Sequence, residues 1–342
     1  MDKKSFKNKP YHLKQKHSGE IEKTIHSSDT DIGAPTSPAD LHVYGTARFE
    51  DPALAANALI FGHRLSVSGS SPIPIENVPS ASVLYLTPHM SEFVGLYFQD
   101  RWQVKQTSMV TKSLNVLSAS NLNYDVFVYW DQTRKVVDLD FWPWSGDRTR
   151  ENGLARQDGV YVKHDDPTRR YAGTIRTVAA GVIADAASRR FVWNYNNRIE
   201  RFLQQPINTV DSWTDSTLSY RAANLQNANS FELVIGDPET VIASVNTSCK
   251  AQTGLFGYGC SVGIGVNSTT VNSANIYGAF TSIDDVNGGM WTPCRAEYTN
   301  TPTPGYNRFH WLEIVGGGTF TFYGDGGNAT YFNFGIMGRV RG

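Results

Sequence analysis

The run DGVYVKHDDPTRRYAGTIRT, residues 158–177, gathers the carboxylates Asp158, Asp165 and Asp166, the imidazole of His164, and Arg169, Arg170 and Arg176. Acids and a histidine at this density are the raw material of general acid–base hydrolysis. That chemistry needs two carboxyl groups facing each other across a cleft, one of them held protonated by its surroundings. The spacing points elsewhere. Asp165 and Asp166 are adjacent and precede Pro167, where aspartates bond their own backbone and proline fixes φ, which makes a turn. Val160 and Val162 share one strand face before the turn, and Tyr171, Gly173 and Ile175 share one after it. The run reads as a β-hairpin, and no catalytic residue is assigned.

Other chemistry-bearing residues are dispersed. GLFGYGCSVGIGV has glycine spacings reminiscent of nucleotide loops, but no strand-then-helix pattern surrounds it and the Walker lysine is missing. The eight histidines form neither His-x-x-x-His nor His-Glu-x-x-His. Cys249, Cys260 and Cys294 lack Cys-x-x-Cys spacing and read as small buried apolar residues in preference to metal ligands or nucleophiles. A Cys249–Cys260 bridge stays open. No metal or other cofactor is called for.

The elements that would carry these residues are strands. With 18% charged residues, 12% aromatics, 30 glycines and a formal net charge of −1, the chain has little long-range field, so nucleic acid is not an expected partner. No run approaches the ~20 apolar residues needed to cross a bilayer, and the lysine-rich start lacks an apolar signal core, so membrane insertion and general export are not expected. Residues 1–40 have no apolar periodicity. Lys3, Lys4, Lys7, Lys9, Lys14 and Lys16 face only Asp2 and Glu20 in the first twenty residues, which suits an extended arm that docks on an acidic partner surface. Residues 41–79 read as a short β segment and a proline-rich connector.

Residues 80–205 read as a β-rich middle domain, with SVLYLTP, FVGLYFQDRWQV, YDVFVYW and KVVDLDFWPW as strands. In the last of these, Val137, Leu139 and Phe141 should pack while Asp138 and Asp140 face water. AAGVIADAASRRFVW is expected to hold a short helix. Residues 206–342 offer SFELVIG, TVIASVNTS, GCSVGIGV, NRFHWLEIVG, GTFTFYG and YFNFGIMGRVRG, a C-terminal β-sandwich or jelly-roll-like unit. The expected fold class is all-β with minor α: an arm followed by serial antiparallel β domains.

SVLYLTP, YDVFVYW, the hairpin run and above all RRFVWNYNNRIERFL resemble a recurrent module of tailed-bacteriophage virion proteins, of the tail-fibre or minor structural kind. The resemblance covers roughly residues 80 to 240 and extends to the closing FGIMGRVRG. It implies a β-rich virion component on the tail or capsid surface, made in the host cytoplasm, and brings no catalytic motif with it. A homotrimer is expected, with the arm contacting other virion proteins. Phe127, Tyr129, Trp130, Phe141, Trp142 and Trp144 would serve either its interface or the middle core. Three readings follow: a tail-fibre or baseplate-associated appendage, a head fibre or capsid-decorating protein, and a glycan-degrading tailspike enzyme. The last lacks a long β-helix repeat. At the outer end, VNGGM and GDGGN flank Trp291 and Tyr323, which with Asn287 and Asn328 would form a receptor surface for a host glycan or protein. Alternatively, both aromatics pack inward.

Overall fold

The computed structural model describes residues 52–206, 210–252, 259–281, 291–328 and 330–342, together with the short strands Tyr11–Leu13 and Lys23–Ile25, which pair antiparallel. Lys3, Lys4, Lys7, Lys9, Lys14 and Lys16 lie outside the described residues, as does Asn287. The chain divides into two compact units, Met1–Ala56 and Asn57–Gly342. The second is nearly all β and is the one described below.

Its larger sheet runs Val136–Pro143, Asn123–Asp131, Asp166–Ala179, Val182–Ala186, Arg189–Arg190, Ser230–Ile235, Gly305–Val315, Gly259–Val266 and Ala279–Thr281, with side branches. Among the described residues the pairing is antiparallel except where Arg189–Arg190 runs parallel to Glu232 and Leu233. A seven-stranded sheet runs Glu200–Pro206, Gly335–Arg341, Val241–Ala251, Thr292–Asn300 and Ile276–Tyr277, with Phe320–Tyr323 and Ser212–Asp215 attached. Among the described residues two small sheets accompany them: His63–Ser66 with Val83–Pro88 and Val110–Ser113, and the hairpin Phe93–Phe98 with Arg101–Gln106.

Side-chain alternation explains the sandwich. Along Val241–Ala251 every second residue is buried, so Val241, Ala243, Val245, Thr247, Cys249 and Ala251 face in. They meet Phe231, Leu233 and Ile235 and Phe309, Trp311 and Val315 of the larger sheet in one core. A second core gathers Leu65, Leu84, Leu86, Val94, Val126, Val128, Leu139, Ile175 and Ile183. Strands from either side of residue 206 share the larger sheet, and Phe127, Tyr171 and Trp193 belong to the sandwich core. Gly236 lies at this junction, where a Cβ would collide with the Tyr171 hydroxyl.

Two local expectations are corrected. AAGVIADAASRRFVW holds no helix; it forms the strands Val182–Ala186, Arg189–Arg190 and Val192–Asn194, because burying Ile183, Ala184 and Trp193 outweighs helix propensity. The helix is instead Pro52–Leu59, with proline at its first position, where an N–H is not needed. Asp138 is not a surface charge. It is 5% exposed and accepts bonds from Lys112 Nζ at 3.1 Å, Tyr129 Oη at 3.3 Å, its neighbour Leu139 N at 2.7 Å, and Arg134.

The acid-rich run forms two successive turns. Asp158 and Gly159, with φ of 50° and 83°, connect Leu154–Gln157 to Val160–Lys163 as the Asp-Gly turn whose twist matches a hairpin. His164 and Asp165, the latter at φ 63°, lead into Asp166–Ala179. Its arginines hold the fold together. Arg170 is buried and donates from Nη1 to the carbonyls of Ile60 at 2.9 Å and Gly95 at 2.7 Å. Burial draws its pKa down to about 9, which leaves it charged at neutral pH. Arg176 donates to Asn123 Oδ1 at 2.9 Å and Asp147 Oδ1 at 2.8 Å.

Candidate recognition surface

Strand alternation places Tyr323 outward. Along Phe320–Tyr323, Phe320 and Phe322 are buried while Thr321 and Tyr323 are not. Trp291 immediately precedes Thr292–Asn300, in phase with exposed Pro293 and opposite in phase to buried Cys294. The two rings therefore meet on the outer face of the seven-stranded sheet, stacked with centroids 3.9 Å apart and planes at 22°. Trp291 remains 44% exposed. Burial, and then the nearby Cys249 sulfur, raises the Tyr323 hydroxyl above its ordinary pKa, so it is a neutral donor at physiological pH.

The loop after Tyr323 extends this face. Gly326 and Gly327, at φ 59° and 77°, take successive left-handed conformations that glycine adopts without strain. Asp325 Oδ1 accepts from Gly327 N at 3.0 Å. The carbonyl of Asn328 accepts from the backbone N–H groups of Tyr331 and Phe332, each at 3.0 Å. Phe332 then packs 5.7 Å from Trp291 and 6.1 Å from Phe334, while Tyr331 stands 79% exposed. The result is an aromatic platform running Tyr323, Trp291, Phe332, Phe334. Asn328 is exposed at the turn that carries it. Such a surface stacks against the apolar face of a sugar or a flat side chain, with amide groups alongside for hydroxyls.

Of the four residues expected on this surface, Trp291 and Tyr323 are in direct contact and Asn328 shapes the adjoining turn, while Asn287 is not described. Tyr331, Phe332 and Phe334 were missed because YFNFGIMGRVRG reads as one strand, whereas pairing begins only at Gly335. The middle-domain aromatics are largely covered from within. Phe127 and Trp144 are buried, and cations of the same chain lie over Trp130, Trp142 and Tyr129 at 4.4, 3.6 and 3.7 Å.

The acids of the opening run do not converge. Asp158 Oδ2 accepts from Trp102 Nε1 at 3.0 Å, Asp165 is exposed beside His164, and Asp166 Oδ1 accepts from Thr168 Oγ1 at 2.6 Å. The structure does bring together residues that their spacing kept apart. The sulfur of Cys249 lies 2.7 Å from that of Cys260 and 3.2 Å from that of Cys294, all three in the sandwich core. The available signal was phase, since each cysteine falls on the inward-facing positions of its own strand.

No protein-family model matches the chain, and no curated protein matches it. Among solved structures, dimeric latent PorU from Porphyromonas gingivalis aligns at 8% identity over 86% of this chain and 22% of its own, with a TM-score of 0.26. The insecticidal delta-endotoxin Cry8Ea1 from Bacillus thuringiensis aligns at 10% identity over 82% and 51%, with a TM-score of 0.23. The VP2 subviral particle of infectious bursal disease virus aligns at 10% identity over 82% and 72%, with a TM-score of 0.22. The chain thus spans about a fifth and about half of the first two.

Proposed function

We propose that this chain is a non-catalytic structural protein of a bacteriophage particle, a tail-fibre or baseplate-associated appendage that attaches by its N-terminal arm and presents the Trp291–Tyr323–Phe332 platform to the host surface. The observation that carries the reading is that platform, an exposed aromatic stack on the face of a rigid sheet and beside a glycine-bearing turn. The resemblance of residues 80 to 240 to virion modules of tailed phages supplies the particle. The ligand class is a host saccharide, and the protein acts as a homotrimer in the virion. A head fibre or capsid-decorating role places the same platform on the capsid. Imaging particles that carry a label on Gly342 separates the two sites. Purified full-length protein should compete with whole phage for host adsorption, and failure at saturating concentration counts against the host-facing reading. Release of new reducing ends from host polysaccharide would instead favour a tailspike enzyme.

A further inference from the structure

The chain has three cysteines in 342 residues, and all three meet at one point. Cys249 and Cys294 come from the seven-stranded sheet, where Thr247 pairs with Cys294 and Cys249 with Thr292, so the two cysteines are diagonal neighbours on its inner face. Cys260 comes from Gly259–Val266 of the opposing sheet, where it pairs with Val315. Their sulfurs all lie within 4.8 Å of one another, and each residue is at most 2% exposed. We propose that Cys249, Cys260 and Cys294 form a three-sulfur site for a single thiophilic monovalent cation, copper(I), which joins the two sheets of the sandwich.

Core packing accounts for each cysteine singly but not for their convergence. A disulfide would use two and leave the third in contact with it. A shared ion uses all three. Among the described residues no histidine, aspartate or glutamate joins the sulfurs. All-sulfur donor sets select soft ions, and three donors suit a three-coordinate ion over zinc, whose structural sites take four ligands. Sulfurs about 2.3 Å from a common ion in a plane stand about 4 Å apart. The cluster therefore opens by about 1 Å, a movement within reach of cysteine side-chain rotation. Entry of copper(I) displaces thiol protons to water and transfers no electron. Fully buried Phe322, paired with Cys249, and Val315, paired with Cys260, keep water from the site and so guard the reduced ion.

The test titrates full-length protein, reduced and free of oxygen, with copper(I) against a chromophoric copper(I) chelator, both in the folded state and during refolding, since the sulfurs are buried. The expected result is one equivalent per chain, thiolate-to-copper absorption in the near ultraviolet, and a sulfur-only shell of three by X-ray absorption. Cys260→Ala and Cys294→Ala should each weaken binding by more than about 100-fold. Should either variant fail to fold, the stoichiometry and X-ray shell of the unsubstituted protein decide alone. Three results overturn the proposal: no uptake in either state with all three thiols alkylated after unfolding, an intact mass two hydrogens light that marks a disulfide, or preferential zinc binding in a four-ligand shell.

Discussion

The indole N–H of Trp213 donates to Oε2 of Glu313 at 2.7 Å, linking a strand attached to the seven-stranded sheet with the Gly305–Val315 strand of the opposing sheet. Glu313 is fully buried, and its Oε1 accepts from Arg221 Nε at 3.0 Å and Asn224 N at 3.2 Å. Burial pushes its carboxyl pKa up to about 7, against the pull of Trp213 and Arg221.

Because that pKa is raised, the folded protein favours the protonated acid. The contribution of Glu313 is fully present below its ordinary value of 4.5 and is lost as pH rises through about 7. Glu313→Gln keeps the shape and removes the titration. Relative to the unsubstituted protein, the variant should gain up to about 3 kcal/mol between pH 4.5 and 7. His310, on the same strand, has the opposite sign: burial and then Arg308 hold it down to about 4, so its contribution is complete above 6.5 and is lost as pH falls through 4. His310→Gln should lessen the acid-side decline. Urea unfolding at several pH values measures both, and a pH-independent difference for either variant would contradict its assignment.

Trp291→Ala and Tyr323→Ala should abolish competition for host adsorption while leaving the body folded. A stacked aromatic pair contributes about 0.5–1.5 kcal/mol beyond area burial, so each variant should lose only a few degrees of melting temperature. Retained competition by both variants would remove the platform from recognition.

The double substitution Asp165→Asn and Asp166→Asn tests the hairpin turn directly. Asparagine tolerates the positive φ of residue 165, and its side-chain oxygen at 166 still accepts from Thr168. Stability should stay within about 0.5 kcal/mol and particle infectivity should be unaltered. Lost infectivity in intact particles would give these acids a chemical role.

Neighbouring arginines should differ in how much stability they contribute. Arg170→Met leaves the buried carbonyl of Gly95 without its side-chain donor and that of Ile60 with the Gly95 N–H alone, at a cost of about 1–3 kcal/mol. Arg169→Met removes a half-exposed contact to Asp140 and should cost under about 1 kcal/mol. Equal losses in denaturant midpoint would refute the distinction.

Strands were legible wherever apolar residues keep period two, as in TVIASVNTS and NRFHWLEIVG, because one face is buried and the other is not. Period fails where charge is buried. Asp138 alternates with core residues Val137 and Leu139 but is covered on its own face by Tyr129 across the hairpin, Arg134 from the turn and Lys112 from another sheet, and spacing within one strand carries no trace of that cover. VIADAASRR has helix formers, and only its neighbours in the sheet make it extended. On the candidate surface, glycine turns pointed to Trp291 and Tyr323, whereas Phe332 depends on a chain reversal hidden in an apolar run. The sulfur cluster depends on two sheets facing each other, a relationship that strand phase permits without specifying.

Gly335–Arg341 lies inside the seven-stranded sheet, hydrogen-bonded on one side to Glu200–Pro206 and on the other to Val241–Ala251. Before that interior strand docks, the sheet is divided at its place. Both neighbours then present bare backbone edges, and the loop to be closed is long enough that its entropy is lost before any contact compensates. Docking of this strand is therefore the step that closes the seven-stranded sheet. Until it occurs, the open edges are templates for strand exchange with other unfolded copies, so refolding at high concentration is when this chain is most exposed to misassembly.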